Sequence, residues 1–442
     1  LNETRAIITQ LLQNIGSSKE VDQYLKQFSA VESTKFAVIK VRGDIVRDDL
    51  EQLCSALTFL YRVGLYPIVV QGAGAQLDEA LREAGHPIDT RDGLRVVDQA
   101  TLRIARKTLT AVNHQLADAL EAMGTRARAI PAGVFEGEQV DAARYGYHGQ
   151  VTGVDLDPIR MAIKSGHLPI LSSFAESATG QLLLVHARTA ALVLAHRIQP
   201  AKIVFLTPQG GLIDGDGRLI RALNLAEDYD WLMAEPWVDA RQQTRFEAIK
   251  ALLDALPLQS SVALTTPGLL PKELFTHRGS GTLIRRGERV LVFDRGLDGV
   301  DVPRLTALVE QVFGRALVPD YFDQKPFHRI YVTETYRATA ILTCEGDIPY
   351  LDKFAVDEKA QGEGLGASLW EKVIEDNPKL FWRSRIDNRT INPWYFSRAD
   401  GSLRGKHWVV FWYGLDGFDE VQQALSLAFA MPASLAPRVT PA

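Results

Sequence analysis

Three glycines, Gly362, Gly364 and Gly366, fall within QGEGLGA, where the apolar stretch YLDKFAV hands over to a helical pattern. Glycines at such a junction let backbone N–H groups turn toward an anion, and the positive end of the helix dipole reinforces them. The anion could be the phosphates of ATP, a dinucleotide or the pyrophosphate of coenzyme A. A P-loop would place Gly-Lys-Ser/Thr here, but Gly366 is followed by Ala367 and Ser368. A dinucleotide fingerprint would read G-x-G-x-x-G, whereas this run is G-x-G-x-G. Downstream, Arg383 and Arg385 stand two apart in LFWRSRI, so on a strand both side chains share one face. Paired guanidiniums suit a substrate with carboxylates, which they bind bidentately; surface arginines on a solvated edge are the plain alternative. Asn388, Asn392 and Tyr395 follow in a turn-rich segment broken by Pro393. No Ser/His/Asp or Cys/His arrangement accompanies them, so a covalent acyl-enzyme is not expected.

The elements that must position these residues alternate in kind along the chain. Residues 4–30 show helical spacing, with Ile7, Ile8, Leu11, Leu12 and Ile15 on one side. Then FAVIKV and LYPIVV each lead through a glycine turn into a helix, and ARAIPA, LPILSS, AKIVFLT and SSVALTT add further strands. Strand alternating with helix predicts a mostly parallel sheet covered on both faces, over about 35–285. The glycines of 286–301 end that alternation and are read as a linker. From 302 to 442, closely spaced strands and few helices predict a smaller α+β domain. Five of the seven tryptophans lie between 370 and 412, and a packed core is the expected use for them.

Composition narrows the classes of function. A chain of 442 residues exceeds one ordinary core, so two or three domains are expected. A net charge of −5 gives no electrostatic case for nucleic acid or an anionic membrane surface. Cys54 and Cys344 stand singly in apolar runs, which reads as buried thiols in a reducing cytoplasm and not as a metal site. No run of about 18 apolar residues and no signal-peptide layout appears, so a cytoplasmic, soluble protein is expected.

The run Q-x-x-G-x-G-A, from Gln361 to Ala367, resembles the acetyl-CoA loop of GNAT acyltransferases. With YLDKF upstream and LFWRSR…NPWYF…DGS downstream, residues 302–420 resemble the acetyltransferase domain of the vertebrate-like N-acetylglutamate synthases. The resemblance implies acetyl-CoA as co-substrate, held by Phe354, Ala355 and Val356 with Gln361, Gly362, Gly364, Gly366 and Ala367. It implies L-glutamate held by Lys353, Arg383, Arg385 and Asn388, with Asn388 and Tyr395 in the chemistry and Tyr395 as proton donor to the leaving thiolate. The expected reaction is acetyl transfer to glutamate, the first step of arginine biosynthesis.

The first domain, 1–285, resembles the amino-acid kinases, and acetylglutamate kinase in particular. VIKVRG stands for V-I-K-Y-G-G, QGAGAQ for H-G-G-G-P-Q and GLRVVD for G-L-R-V-T-D. The kinase-like residues implied are Lys40, Gly43, Gly72, Gly74 and Arg95, with ATP and magnesium only if that site is active. Arg42 replaces a glycine, Leu184 the substrate asparagine and Arg188 the aspartate of N-I-N-A-D-T. VDARQQTR lacks the glycines and lysine of G-G-M-x-x-K, unless Arg188, Arg241 or Arg245 substitutes for a lysine. Together these changes predict a lost or weakened kinase. Tyr24, Lys26, Glu273 and Gly279 match an arginine effector site, and the relatives of this architecture form homotetramers. No metal site is expected. The alternatives are a bifunctional synthase/kinase and a non-catalytic arginine sensor.

Overall fold

In the computed structural model, which describes residues 35–275, 280–294, 296–344, 346–360, 364–389 and 391–436, two compact units meet between Arg286 and Gly287. The first is built on β1 (Ala37–Val41), β2 (Ile68–Gln71), β3 (Ala127–Ile130), β4 (Leu168–Ser172), β5 (Lys202–Leu206), β6 (Ala222–Asn224), β7 (Ser261–Thr265) and β8 (Thr282–Arg285). They lie in the order β6-β8-β7-β5-β1-β2-β4-β3. Only the β7–β8 pair is antiparallel. Strands β1, β2, β4, β5 and β7 are buried along their whole length, as continuous apolar runs require when both faces are covered. Ile39, Val69 and Val204 face one core with α1 (Gly43–Asp48), α2 (Leu50–Arg62), α3 (Gly74–Glu83) and α4 (Gln99–Ala122). Val38, Val70 and Ile203 face the other, under α5 (Ala187–Ile198) and α6 (Ala240–Ala255). The helix expected over 4–30 lies outside the described residues.

The second unit starts earlier than its glycines imply. Val290–Asp294 forms β9, paired antiparallel with β10 (Phe327–Thr333) from Val290↔Thr333 to Asp294↔Arg329. The segment read as a linker, 286–301, therefore contributes a strand to the second sheet. Its alternating VLVF, with Val290 and Val292 packed on the core, outweighs the turn glycines that follow. The sheet continues with β11 (Ala338–Thr343), β12 (Tyr350–Val356), β13 (Leu380–Arg385), β14 (Gly401–Arg404) and β15 (Trp408–Tyr413), in the order β9-β10-β11-β12-β13-β15-β14. Helices α7 (Val302–Phe313) and α10 (Phe418–Ala430) cover the face carrying Ile330, Ile341, Phe381 and Val410. Helix α8 (Leu365–Asp376) and the short α9 (Asn392–Phe396) cover the face carrying Tyr331, Leu351, Trp382 and Phe411. Trp370 and Trp382 are buried there with ring centroids 5.1 Å apart, so these tryptophans do build the core. Among the described residues no helix is long and apolar enough to cross a membrane.

Gly414 closes β15 against the approach to β13, with φ at +71° and its Cα hydrogen pointing at the Pro378 carbonyl oxygen, where a Cβ would collide. Gly414→Ala is expected to cost about 2–4 kcal/mol in urea unfolding followed by tryptophan fluorescence, through strain and displaced backbone together.

Candidate active site

In the second unit the only parallel pair of the sheet is β12–β13, and its ladder holds just Tyr350↔Phe381 and Leu351↔Trp382. Beyond Leu351 the two strands part, while β12 stays paired with β11 through Val356. The cleft so opened is floored by aromatic packing. Phe354 stacks on Trp394 at 5.3 Å and 22°, and Trp394 meets Trp370 at 5.3 Å. Helix α8 points its N-terminus to this region. Gly364 caps it at φ +85°, and a Cβ on Gly366 would press on Val356 Cγ2 at 3.3 Å, so the helix start lies close against β12. Phe354, Ala355, Val356, Gly364, Gly366 and Ala367 thus gather at one end of the cleft; Gln361 and Gly362 lie outside the described residues.

The substrate residues expected from sequence divide between the two faces of the sheet. Arg383 and Arg385 share the face of Phe381. Lys353, opposite Ile341, lies on that face too. Tyr395 packs on the other face, 5.4 Å from Trp382 and 5.5 Å from Phe411, and burial pushes its hydroxyl pKa well up. Arg383 is already engaged. Its Nη1 donates to the Ala428 carbonyl at 2.7 Å and Nη2 to Pro432 at 2.9 Å, satisfying the end of α10, and its plane lies 4.2 Å over Trp408. This departs from an open carboxylate receptor. Arg385 is exposed, and its Nε donates to Asp387 Oδ1 at 3.0 Å. The Asn388 side chain accepts from Ile391 N at 3.4 Å and shapes the turn into α9.

Lys353 is buried, and its ammonium donates to Asp352 Oδ2 at 2.7 Å and Ser434 Oγ at 2.5 Å. Asp352 also accepts from the Tyr321 hydroxyl at 2.6 Å and pairs with Lys325 at 3.0 Å. Burial by itself would raise the Asp352 pKa, but the two lysines outweigh it and hold it at about 2. Sequence reasoning missed Asp352, Lys325, Tyr321 and Ser434. Neighbours in a strand ordinarily face opposite ways; a register shift between Ile341 and Leu342 brings Asp352 round to its neighbour.

The first unit has a second polar site, at the C-terminal ends of β1 and β5, where open α/β sheets bind ligands. Lys40, Arg42, Arg188, Thr207, Gln242 and Arg245 line a cavity there of about 230 Å³. An Asp239–Gln242 capping box starts α6, which carries Gln242 and Arg245. Lys40 is 9% exposed, and burial, then Arg188 and Arg42, push its pKa down to about 7. His186 caps α5 by accepting from Arg188 N at 3.2 Å. The glycines expected to make room for phosphate are used for backbone packing at two positions: Cβ atoms would meet Ala73 Cα at 2.9 Å from Gly43 and Ala187 Cβ at 3.2 Å from Gly72, while Gly74 is open. Arg95 pairs with Asp78 and does not line the cavity. Of the expected arginine-site residues only Glu273 is described; Tyr24, Lys26 and Gly279 lie outside. It is buried, Oε2 accepting from Ser280 N at 2.7 Å and Gly281 N at 3.2 Å, with no partner to Oε1 among the described residues.

These two units correspond to two known domains. The model of the amino acid kinase family matches residues 35–258. That of the N-acetyltransferase domain of N-acetylglutamate synthase matches 292–429. The chain belongs to the amino acid kinase family, joined to that acetyltransferase domain. It is 49% identical over 417 residues to a Xanthomonas campestris protein named acetylglutamate kinase, covering 93% of this chain and 97% of the relative. It is 35% identical over 448 residues to human mitochondrial N-acetylglutamate synthase, covering 97% and 80%. The solved N-acetylglutamate synthase of Neisseria gonorrhoeae, complexed with coenzyme A and N-acetyl-glutamate, shares the fold at TM-score 0.64 and 20% identity, covering 89% and 98%.

Two titrations follow from the buried charges. Lys40 is charged in both states below pH about 7 and neutral in both above the ordinary 10.5, so its penalty on the fold is full at low pH and fades between those values. Lys40→Met should therefore stabilise the first unit by on the order of 2–4 kcal/mol at pH 6.5, and hardly at pH 10.5, in denaturant melts. Asp352, lowered from 3.8 to about 2, contributes stability above pH 4 that is lost as pH falls to 2. Asp352→Asn leaves two lysines without their anion, with an expected loss of about 3–5 kcal/mol at pH 7.

Proposed function

We propose that this chain is an N-acetylglutamate synthase, transferring acetyl from acetyl-CoA to the amine of L-glutamate, with the first domain serving binding and regulation. The observation that carries it is the parting of β12 from β13 beside the glycine-capped start of α8, inside the acetyltransferase domain. The pantetheine arm of acetyl-CoA extends the sheet along the edge of β12, and its pyrophosphate meets Gln361, Gly362, Gly364, Gly366 and Ala367 at the helix N-terminus. Glutamate binds through its carboxylates, with Arg385, the most exposed cation of the set, as first contact and Asn388 beside it; Lys353 and Arg383 join by exchanging contacts they make within the protein. Its amine, deprotonated through water, attacks the thioester carbonyl; the C–N bond forms, a β12 backbone N–H steadies the oxyanion, and the C–S bond breaks. Tyr395, kept protonated by its burial, gives its proton to the departing thiolate.

Arginine is the effector in this reading, and the spare Oε1 of Glu273 supports a guanidinium site beside it. The compartment is the cytoplasm, which suits two free cysteines, and the assembly is a homotetramer. A second reading, a bifunctional synthase/kinase, is favoured by the name of the Xanthomonas campestris relative. Against it stand Leu184 and Arg188, and a Lys40 surrounded by arginines.

Radiolabelled acetyl transfer to glutamate should be readily measured, and acyl phosphate from ATP and N-acetylglutamate almost absent; brisk acyl phosphate formation would establish the second reading. In the transferase assay, Tyr395→Phe should lower kcat about 10²-fold with little change in the KM for acetyl-CoA. An unchanged kcat would remove Tyr395 from the chemistry.

A further inference from the structure

Two of the four residues given to glutamate are tied to one short stretch of chain. After α10 the backbone runs from Met431 to Ala436 without helix, and Leu317↔Leu435 is an isolated bridge along it. Arg383 Nη2 holds the Pro432 carbonyl at 2.9 Å, and the Lys353 ammonium holds Ser434 Oγ at 2.5 Å. Farther on, Arg315 clamps the stretch: its Nε donates to the Ala436 carbonyl at 2.7 Å and its Nη2 to that of Leu435 at 3.0 Å. Ala436 N donates in turn to the Ala316 carbonyl at 2.8 Å. Between α10 and this clamp the backbone is lightly held. Pro432 and Ala433 are exposed, and the Ser434 carbonyl accepts from Val318 N at a long 3.3 Å.

An ammonium has three N–H donors. Those of Lys353 reach Asp352 Oδ2 at 2.7 Å, the Asp352 carbonyl at 3.3 Å and Ser434 Oγ. A substrate carboxylate therefore meets this ammonium only by replacing one of them. The Asp352 carboxylate is not the one to leave, because it is buried, paired with Lys325 and bonded by the Tyr321 hydroxyl. Its carbonyl is fixed in β12. Ser434 Oγ is neutral, only half-buried and carried by the lightly held stretch. A carboxylate forms a stronger, charge-assisted bond with the ammonium than this hydroxyl does. The same comparison holds at Arg383, whose bond to Pro432 is to a neutral carbonyl of the same stretch.

We infer that Pro432–Ser434 is a strap across the glutamate site and that the substrate displaces it. A carboxylate takes the place of Ser434 Oγ on Lys353, the strap bows outward between the end of α10 and the Arg315 clamp, and Arg383 is released from Pro432. The inference rests on the synthase reading and adds to it that the site stays closed until an anion opens it.

Radiolabelled acetyl transfer to glutamate tests the strap through Ser434→Ala, which removes the hydroxyl that the carboxylate must displace. The KM for glutamate should fall about three- to tenfold, the worth of one net hydrogen bond, while the KM for acetyl-CoA stays that of the parent. Ser434→Thr keeps a hydroxyl and should restore the parent's KM for glutamate. A merely structural role for Ser434 would raise that KM or lower kcat instead. The parent chain supplies a second measurement, hydrogen exchange read at single residues in coenzyme A with and without saturating glutamate. Exchange at Val318 N, bonded to the strap, should quicken about threefold or more on adding glutamate, while Ala436 N, inside the clamp, keeps its rate. In a parent that acetylates glutamate, an unchanged or raised KM in Ser434→Ala, or exchange at Val318 that does not quicken, would overturn the inference alone. A parent that transfers no acetyl group to glutamate would overturn the synthase reading and the strap with it.

Discussion

The second unit depends on a ladder that stops early. Two residue pairs join β12 to β13, after which the strands separate and the sheet holds together only through its core. A sheet broken in the middle would ordinarily lose hydrogen bonds and packing together. Here the packing is kept by Trp370 of α8 and Trp394 of α9, which pack on Phe354 of β12, while Trp370 also meets Trp382 of β13. Aromatic area of this kind replaces what the missing ladder would have contributed and leaves backbone groups at the cleft for a ligand. Gly366 matters for the same reason, since a side chain there would press on Val356 and hold the helix end off the strand edge.

The two units handle buried cations in opposite ways. Around Asp352 two lysines, a tyrosine hydroxyl and a serine hydroxyl form a network in which the carboxylate and its partners are satisfied internally. Such a network is rigid and costs most when one member is removed. Around Lys40 the cations come from separate elements, and burial and their mutual repulsion lower their pKa values.

Much of the fold was legible. Continuous apolar runs such as AVIKV and KIVFL are what a strand covered on both faces needs, and they are β1 and β5. The alternation in VLVF was legible too, but glycines nearby drew it into a linker, because turn residues and a short edge strand give competing local signals. In the site, the glycine turn before α8 was readable from spacing, as was the shared face of Arg383 and Arg385. What those arginines touch was not. Arg383 meets carbonyls about fifty residues away in sequence, at the end of α10, and no local pattern encodes that distance.

By itself, then, the sequence determined the order of strands and helices, the two-domain plan and the kinds of charge at each site, since periodicity and residue type are local properties. The tertiary structure alone decided which charges are satisfied. The bulge that turns Asp352 toward Lys353, the helix end that occupies Arg383, and the meeting of Lys40 with arginines from α5 and α6 all depend on register and packing between distant segments. An ion pair is set by a few ångströms of placement, and that placement exists only once the chain has closed on itself.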